Sequence, residues 1–374
     1  MLDSSAWRLL RRFTLGLALA SLAGCSSLGY YWQSTSGHLA LMQAARPVDD
    51  WLQDPASTAT LKTRLLLTQD IRRFAAAELH LPDNASYQRY ADLQRKAAVW
   101  NVVAAPELSL KLQQWCFPVA GCVAYKGYFD EAAAEREGAQ WRAQGLDVSV
   151  YPVPAYSTLG WMNWAGGDPL LNTFIHYPEG ELARLIFHEL AHQVVYVSGD
   201  TTFNESFATA VERLGTARWL TAQASPSAQA QFAQSQLRRQ QFRTLTLDLQ
   251  RSLRAIYADT VEAPEASPLS NQAEQRSQKA AAMAVFRQRY AELKTSWNGF
   301  AGYDVWVSRT NNASLGALSA YDQLVPGFKA LFEHEGRDWP RFYAAVKRIA
   351  ALPKAERHAA LRTDSPTNHS SLIF

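Results

Sequence analysis

The chain contains 374 residues, of which 48% are hydrophobic and 19% are charged. This length and apolar content predict one large domain, or two closely packed domains, with a sizeable buried core. The 37 lysine and arginine residues nearly balance the 34 aspartate and glutamate residues. The composition therefore excludes the strongly basic surface that nucleic-acid binding requires, and no nucleic-acid partner is expected.

Residues 1–24 have the pattern of a bacterial signal peptide. Three arginines precede the apolar run 13–20, which is too short to span a bilayer as a mature helix. The run leads into Leu22-Ala23-Gly24-Cys25, which resembles the lipobox of bacterial lipoproteins, where the cysteine is lipidated and becomes the first residue after cleavage. The alternative is an ordinary secretory leader with an incidental cysteine. We expect residues 25–37 to form a lipidated N-terminus and a short tether, with 34–37 as its flexible part.

The expected compartment is the bacterial cell envelope. Serine, and not aspartate, follows Cys25, which in enterobacteria-like sorting indicates the outer membrane, facing the periplasm. The membrane is thus an expected partner, through the N-terminal lipid. In an oxidising periplasm Cys116 and Cys122 can form a disulfide, because Pro118 and Gly121 between them allow the chain to turn back. Zinc ligation by this pair is the weaker interpretation, since no histidine or further cysteine lies nearby.

Residues 38–374 are expected to form one domain, with 38–165 as an N-terminal part of helices and a small sheet. Apolar stripes predict helices over 61–79 and again over 87–100. From about residue 100 short β-rich runs begin, and one helical pattern interrupts them. The β-rich runs cover 119–129 and 148–153, and the helical pattern covers 130–144.

The second part, residues 166–374, contains the segment that indicates the chemistry. His188-Glu189-Leu190-Ala191-His192 places two imidazoles four residues apart on one helix face, where both can reach one zinc ion. Glu189 lies beside them, free to act as a general base on a metal-bound water. The alternative is a solvated helix face, but the flanking residues are apolar on nearly all sides, and buried polar groups need partners.

A second helical pattern starts at Glu205, after the polar turn 198–202. Two antiparallel helices joined by a short turn place their facing residues side by side, so Glu205 is predicted to be the third metal ligand. The alternative is an ordinary first-turn glutamate that the helix dipole favours. Glu212 lies seven residues further on the same face, where it can orient a metal ligand by a hydrogen bond.

These two helices resemble the zinc-site helices of the gluzincins, especially of the aminopeptidase N-like enzymes. The mature chain is also similar to a family of bacterial lipoproteins described as putative aminopeptidases. The segments that carry this similarity are Trp115-Cys116-Phe117-Pro118, Gly127-Tyr128-Phe129, Tyr156-Ser157-Thr158-Leu159-Gly160-Trp161, the zinc segment and Asn311-Asn312-Ala313. The resemblance implies one zinc ion per chain, a peptide substrate and an α+β, predominantly helical fold. In this fold a gluzincin-like zinc-site helix pair packs beside a small mixed β-sheet.

The chain departs from the gluzincins at the substrate site. Aminopeptidase N-like enzymes hold the free amine of the substrate with a Gly-x-Met-Glu-Asn motif, which residues 147–161 lack. Glu212 and Asp304 are the acids that we expect nearest to the site. Thermolysin-like enzymes have an aspartate four residues after the third ligand, where this chain has Thr209, so Glu212 is preferred for the orienting role. Gluzincins also pair an edge strand with the substrate backbone, and 156–161 is the candidate here, with a structural hairpin as the alternative.

The chain after the zinc segment is predicted to be helical. Apolar residues recur at spacings of three and four over 242–256, and a further helix follows over 273–297, after a linker that contains prolines. A polar and aromatic interruption follows at 300–313. Tyr303 in this interruption is the candidate donor to the oxyanion, with Tyr321 as the second choice, and the alternative for each is a place in the core.

The sequence thus predicts a zinc metallopeptidase, with an aminopeptidase as the first choice. Zinc lowers the pKa of a bound water, and Glu189 takes the proton of that water and passes it to the leaving amine. One alternative is a zinc endopeptidase that acts on envelope proteins or peptides with the same ligands. The other is a noncatalytic zinc-binding envelope lipoprotein, which would need a closed site with four protein ligands.

Overall fold

The computed structural model describes six stretches of the chain. They are residues 29–117, 121–155, 157–158, 166–258, 268–318 and 323–362. The expected signal peptide, Cys25, Tyr156 and Tyr321 lie outside these stretches. Within them, no helix combines the length and the apolar character that are needed to cross a membrane.

Helices make up most of the described chain, and its short strands form three small sheets. The helices are α1 (29–44), α2 (Val48–Gln53), α3 (Ala59–Leu79), α4 (Glu131–Ala143), α5 (Glu179–His192), α6 (Thr201–Ala222), α7 (Pro226–Ala258), α8 (Pro268–Ser296), α9 (Asp304–Ser308), α10 (Asn312–Leu318), α11 (Val325–His334), α12 (Trp339–Ala350) and α13 (Lys354–Ala360). The strands are β1 (Arg46–Pro47), β2 (Arg89–Ala91), β3 (Val99–Pro106), β4 (Trp115–Phe117), β5 (Gly121–Val123), β6 (Lys126–Tyr128), β7 (Leu146–Val153) and β8 (Leu170–Leu171). The predicted α+β, predominantly helical fold class is confirmed.

The sheets are small, and one of them is mixed. In that sheet β2 pairs antiparallel with β1 and parallel with β8. In a second, antiparallel sheet β3 lies between β6 and β7. Ala134 of α4 belongs to one buried apolar cluster with Val102 and Val148 of this second sheet. The strands and the helix that were predicted between residues 119 and 153 are therefore confirmed.

The helix predicted over residues 87–100 is wrong, because this segment contains β2 and the beginning of β3. Tyr87 and Gln94 have φ angles of 62° and 51°, which are left-handed conformations that an α-helix does not contain. Tyr90 and Ala91 are buried in β2, and a strand of three residues is too short to display an alternating pattern. The apolar spacing reflects two buried strands and the turn between them.

Helix α1 includes residues 34–37, which we expected to form a flexible tether. The ring of Tyr30 stacks on that of Phe117 with 5.4 Å between centroids. Further along α1, the side-chain oxygen of Gln33 accepts a hydrogen bond from the backbone N–H of Phe129 at 3.1 Å. These contacts with Phe117 of β4 and with Phe129, which follows β6, outweigh the weak helix propensity of serine, threonine and glycine, so residues 29–44 are helical.

A disulfide closes the hairpin of β4 and β5. Cys116 and Cys122 lie opposite each other across the hairpin, with their Cα atoms 3.9 Å apart. Gly121 has a φ of 72°, a conformation that glycine adopts at low cost. A Cβ atom added at Gly121 would lie 3.4 Å from Oγ of Ser198. The hairpin therefore packs against the loop that joins α5 and α6.

Removal of this disulfide should lower the free energy of unfolding by about 2 kcal/mol, because the closed loop is short. The double variant Cys116→Ala, Cys122→Ala tests this value by urea denaturation beside the wild type. Wild-type protein treated with a thiol reductant should show the same shift. Equal free energies of unfolding for the variant and the oxidised wild type would contradict the prediction.

Helices α7 and α8 run antiparallel and enclose their own apolar cluster. Gln275 of α8 donates to the carbonyl of Ile256, and at the other end Trp297 donates to Gln241. The cluster between them includes Phe242, Leu249, Leu253, Phe286 and Tyr290. The two helices predicted over 242–256 and 273–297 are therefore confirmed.

The predicted interruption at 300–313 contains α9 and the beginning of α10. Asn312 is buried, and its side-chain amide donates to the carbonyls of Pro106 at 3.1 Å and Glu107 at 2.6 Å. The side-chain amide of Asn311 donates to the carbonyl of Val148 at 2.9 Å. These asparagines tie α10 to the ends of β3 and β7, so their role is structural.

Candidate metal centre

The centre is built on α5 and α6, which are joined by the loop 193–200. The side chain of Asn204 fastens this loop to α6, because it accepts from the N–H of Val197 and donates to its carbonyl, both at 2.8 Å. Asp200 caps α6 by accepting a backbone N–H at 3.3 Å. Glu205, in the second turn of α6, is thereby held opposite the last turn of α5.

A buried charge cluster holds Asp200 in turn. Arg357 of α13 forms an ion pair with it, and Nε2 of His358 lies 2.9 and 3.0 Å from its two carboxylate oxygens. Burial alone would raise the pKa of Asp200, but His358 and Arg357 outweigh burial and lower it. Removing one partner of a buried ion pair costs about 3–5 kcal/mol, so the C-terminal helix stabilises the loop on which the centre depends.

His188, His192 and Glu205 meet between the two helices. Nε2 of His188 lies 3.2 Å from Nε2 of His192 and 3.4 Å from Oε2 of Glu205. The other carboxylate oxygen, Oε1, lies 3.8 Å from Nε2 of His192. The candidate ligand atoms all lie within 4.8 Å of one another, so this group could hold a metal ion. The structure thus brings together the three residues that were predicted as ligands.

The two histidines have opposite electrostatic environments. Burial lowers the pKa of His192 to about 4, so its ring is neutral near pH 7, the form that binds a metal. Burial acts in the same direction on His188, but hydrogen bonds to Glu205 and Glu212 outweigh it and raise the pKa of His188. Glu205, which lies 3.4 Å from Nε2 of His188 and favours a positive charge there, would also favour a metal cation at the same place.

Glu212 lies behind His188, on the same face of α6 as Glu205. Its Oε2 is 2.9 Å from Nδ1 of His188, and its Oε1 accepts from Nε of Arg184 at 2.8 Å. Burial alone would raise the pKa of Glu212, but Arg184 and His188 lower it to about 2. Glu212 is therefore a buried, charged carboxylate that fixes the orientation of the His188 ring.

The alternating charges continue outward from Glu212. Arg184 also pairs with Glu181 at 3.4 Å, and Arg239 of α7 pairs with Glu181 at 2.6 Å. This charge chain, from Arg239 through Glu181, Arg184 and Glu212, ends on His188 and connects α7 to the centre. The sequence analysis missed Glu181 and Arg184, although with His188 they form a polar stripe at helical spacing on α5.

Glu189 lies beside the ligand group in a desolvated position. Burial raises its pKa to about 7, the charge of His188 opposes this shift, and the charges of Glu205 and Asp168 reinforce it. Ser157 forms a hydrogen bond with the carboxylate. A carboxylate with a pKa near neutrality can both accept a proton and return it, which is what general acid–base catalysis requires.

Asp168 is buried and anchors residues 157–158, and the sequence analysis did not identify it. Its Oδ1 accepts from the N–H of Thr158 at 2.9 Å and from the hydroxyl of Thr158 at 2.7 Å, while Ser157 donates to Oδ2 at 3.3 Å. Burial raises the pKa of Asp168, and these hydrogen bonds oppose the shift. Most of the candidate edge segment 156–161 is outside the described residues, but Ser157 lies next to Glu189.

Tyr303 lies in the cluster between α7 and α8. Its ring stacks on Phe242 with 4.0 Å between centroids. Burial raises its pKa, and the charges that act on it include Arg239 and Glu181, at the outer end of the charge chain. Other tyrosines lie within electrostatic reach of Glu205, whose charge adds to burial in raising their pKa values. They are Tyr125, Tyr151 and Tyr196.

The two acids expected near the amine of a substrate are engaged by other residues. Asp304 accepts from the hydroxyl of Tyr290 at 2.5 Å and from Nζ of Lys294 at 2.6 Å. Glu212 has one carboxylate oxygen on His188 and the other on Arg184. Both oxygens of each carboxylate therefore already accept a hydrogen bond or face a charged partner, which an ammonium group would have to share.

Comparison with known proteins gives one family match. The model of a family described as "Putative aminopeptidase" matches residues 29–361. The matched range includes both helices of the centre, the disulfide hairpin and the charge chain. No curated protein and no solved structure gives a significant match to the chain.

Proposed function

The chain belongs to the putative aminopeptidase family, and from this premise we propose that it is a zinc-dependent peptide hydrolase, with an aminopeptidase as the first choice. The observation that carries the proposal is the convergence of His188, His192 and Glu205 beside the desolvated carboxylate of Glu189. Peptide hydrolysis needs a polarised carbonyl and a base at the attacking water. A metal held by the first three residues and the carboxylate of Glu189 would meet these two needs.

Zinc fits the donor set of the centre. Two imidazole nitrogens and one carboxylate are ligands that zinc takes in catalytic sites, where three protein ligands leave a fourth position open. Around a tetrahedral ion with ligands at about 2.0–2.1 Å, neighbouring ligand atoms stand about 3.3 Å apart. The two imidazole nitrogens are 3.2 Å apart. The nearest oxygens of Glu205 are Oε2, 3.4 Å from Nε2 of His188, and Oε1, 3.8 Å from Nε2 of His192, and with one ligand atom per residue the group lies within 4.8 Å. Small side-chain movements are enough to complete such a site.

Each residue has a defined part in the proposed reaction. A zinc ion held here would lower the pKa of a water molecule and polarise the scissile carbonyl. Glu189 takes a proton from the attacking water and returns it to the leaving amine, for which its raised pKa is suited. Glu212, which Arg184 keeps charged, would accept a hydrogen bond from Nδ1–H of His188, and Nε2 of that ring would be left for the ion.

The oxyanion that develops at the carbonyl needs a hydrogen-bond donor. Tyr303 stays a prediction for this role. Three other tyrosines lie close enough to Glu205 for its charge to raise the pKa of their hydroxyl groups, and they are further candidates. They are Tyr125, Tyr151 and Tyr196. Tyr196 is also exposed, so a substrate can approach its side chain.

We also propose that a lipid on Cys25 holds the protein in the bacterial cell envelope, at the outer membrane facing the periplasm. The support is the sequence Leu22-Ala23-Gly24-Cys25 behind an apolar leader. The disulfide between Cys116 and Cys122 is in keeping with an oxidising compartment. In such a place the substrates are peptides of the envelope or of the periplasm.

A zinc endopeptidase is the second candidate function. An aminopeptidase binds the ammonium group of its substrate, and a desolvated ammonium group needs a carboxylate partner. Glu212 and Asp304 are both engaged by other side chains. This engagement favours cleavage at internal bonds, whereas the family description favours cleavage at the N-terminus.

A peptide and its N-acetylated twin separate the two candidates. If the ammonium group is recognised, acetylation should reduce kcat/KM by at least about 100-fold, equivalent to about 2.7 kcal/mol of transition-state binding. Mass spectrometry of the products identifies the bond that is cleaved. Glu189→Gln protein, prepared in the same way, shows any cleavage by contaminating peptidases. Equal cleavage of both peptides at an internal bond would decide for the endopeptidase.

A further inference from the structure

Helix α1 presents one uncharged face to its surroundings. Residues 29–44 contain no aspartate, glutamate, lysine or arginine. The large apolar side chains on this face are well exposed, with exposed fractions of 75% for Trp32, 51% for Leu39 and 45% for Tyr31. Pairs of neighbouring exposed residues recur every four residues along α1. Residues four apart lie on the same face of a helix, so these pairs form one face. The outer face of α1 consists of Tyr31, Trp32, Thr35, Ser36, Leu39 and Ala40.

The opposite face holds α1 against the rest of the domain. A Cβ atom added at Gly37 would lie 2.3 Å from the ring of Phe129, so the backbone of α1 rests directly on that ring. Leu41 is buried in the main core. Gln33 donates to the carbonyl of Gly127 at 3.3 Å and accepts from the N–H of Phe129. The direction of the outer face is therefore fixed relative to the centre.

The outer face begins close to Cys25. Only four residue steps separate Cys25 from Gly29, and an extended chain spans at most about 3.3–3.6 Å per residue, so the two residues lie within about 14 Å of each other. Trp32 lies about 4.5 Å further along the helix axis. The polar zone of a bilayer adds roughly 5–7 Å on each side of the hydrocarbon core. A lipid on Cys25 therefore brings the first turns of α1 to the bilayer surface.

We propose that the outer face of α1 lies on the bilayer into which the lipid of Cys25 inserts. Trp32 and Tyr31 take positions among the lipid headgroups, where the amphipathic rings of these residue types are favoured. Leu39 continues the apolar contact two turns further along α1. The face carries no charge, so its approach to the bilayer removes no ion from water. The proposal rests on the proposed lipid anchor and is independent of the peptidase activity.

A membrane fits this surface better than a protein partner does. Every lipidated copy of the chain has its outer face next to the bilayer, so this occupant needs no additional component. The threonine and serine between the aromatic end and Leu39 are small and uncharged, and an interfacial helix tolerates such residues. A protein partner is the competing class of occupant, and the experiment below distinguishes it.

The test measures the depth of single positions in lipidated, full-length protein. Leu39→Cys is the test variant, and Leu237→Cys, at a side chain of α7 that is 55% exposed, is the matched control. Cys116 and Cys122 form a disulfide and Cys25 carries the lipid, so the added thiol takes the nitroxide label. The samples are vesicles of phosphatidylethanolamine and phosphatidylglycerol. Collision rates of the nitroxide with oxygen and with a water-soluble nickel complex are measured by electron paramagnetic resonance.

We expect the ratio of oxygen to nickel collisions to be several-fold higher at position 39 than at position 237, because oxygen concentrates in lipid. Equal ratios would overturn the proposal. Protection of position 39 from both reagents in native envelope vesicles, but not in the lipid vesicles, would assign the surface to a protein partner instead. The mass of the peptide that contains Cys25 shows whether the lipid is present. A mass without the lipid would also overturn the proposal. Peptide cleavage, measured on the same samples, reports separately on the proposed function.

Discussion

Glu189→Gln should reduce kcat for peptide hydrolysis by about 10²–10⁴-fold and leave the metal in place. The amide has the size of the carboxylate and can still accept a hydrogen bond, but it cannot take a proton from water. Glu189 is not a member of the three-residue group that could hold the ion, so the zinc content should stay near one per chain. Turnover assays and elemental analysis of the same preparation test both statements.

The matched control for this variant is Glu131→Gln, which changes a glutamate in the exposed first turn of α4. It should leave both kcat and zinc content unchanged. Because burial raises the pKa of Glu189 to about 7, kcat of the wild type should fall as the pH drops and the carboxylate becomes protonated. A bound cation lowers that pKa and moves the fall to lower pH. Wild-type turnover in Glu189→Gln would exclude Glu189 as the base.

The double variant His188→Ala, His192→Ala should contain no bound zinc, compared with about one zinc per chain in the wild type. The substitutions remove two of the three candidate ligands and leave Glu205 alone, which is insufficient for a stable site. If the three residues bind zinc, the ion at about 1,000 times its Kd would stabilise the folded wild type by about 4 kcal/mol. The variant should lose this response to zinc, which is measured as a shift of the denaturation midpoint.

His334→Ala is the matched control, because His334 is an exposed histidine at the end of α11. It should bind zinc as the wild type does. If circular dichroism shows that the double variant does not fold, Glu205→Gln and chelator titration of the wild type provide a second measurement. The chelator should lower the denaturation midpoint of the wild type and of His334→Ala alike. Stoichiometric zinc in a folded double variant would rule out the assigned ligands.

The sequence predicted the metal group because helix geometry determines most of it. His188 and His192 are one turn apart on a single helix, so their meeting depends on local structure alone. Glu205 required one further step, the pairing of two helices across a short loop. Glu212 followed from the same helix, seven residues from Glu205. All of these residues lie within 25 positions of one another in the chain.

The other parts of the site depend on contacts that are distant in sequence. Arg239 reaches Glu181 from the adjacent helix α7, and no local pattern reports that approach. Asp168 acts on residues 157–158 from a loop that has no periodicity of its own. The tyrosines near Glu205 come from a turn, a strand and a loop. Only the packing of the whole domain brings these side chains together.

Two local predictions failed for the same physical reason. The apolar spacing over residues 87–100 imitates a helix because very short strands bury consecutive residues. The composition of residues 34–37 is typical of a linker, but Gly37 allows α1 to approach Phe129 closely. In both segments tertiary contacts determine the conformation, and local propensity contributes less.

The charge chain has a thermodynamic consequence for the C-terminal half of the molecule. The chain begins at Arg239 of α7 and ends at His188, a candidate metal ligand. Three side chains lie between them, and each forms an ion pair or hydrogen bond with the next. Thermodynamic linkage makes such a coupling reciprocal. The free energy by which docking of α7 on α5 changes the affinity for an ion equals the free energy by which the ion changes that docking. If His188 binds an ion, a molecule that moves α7 would change the affinity for that ion, and the ion would change the docking of α7 by the same free energy. A continuous row of ion pairs therefore connects the antiparallel pair of α7 and α8 to the candidate metal centre.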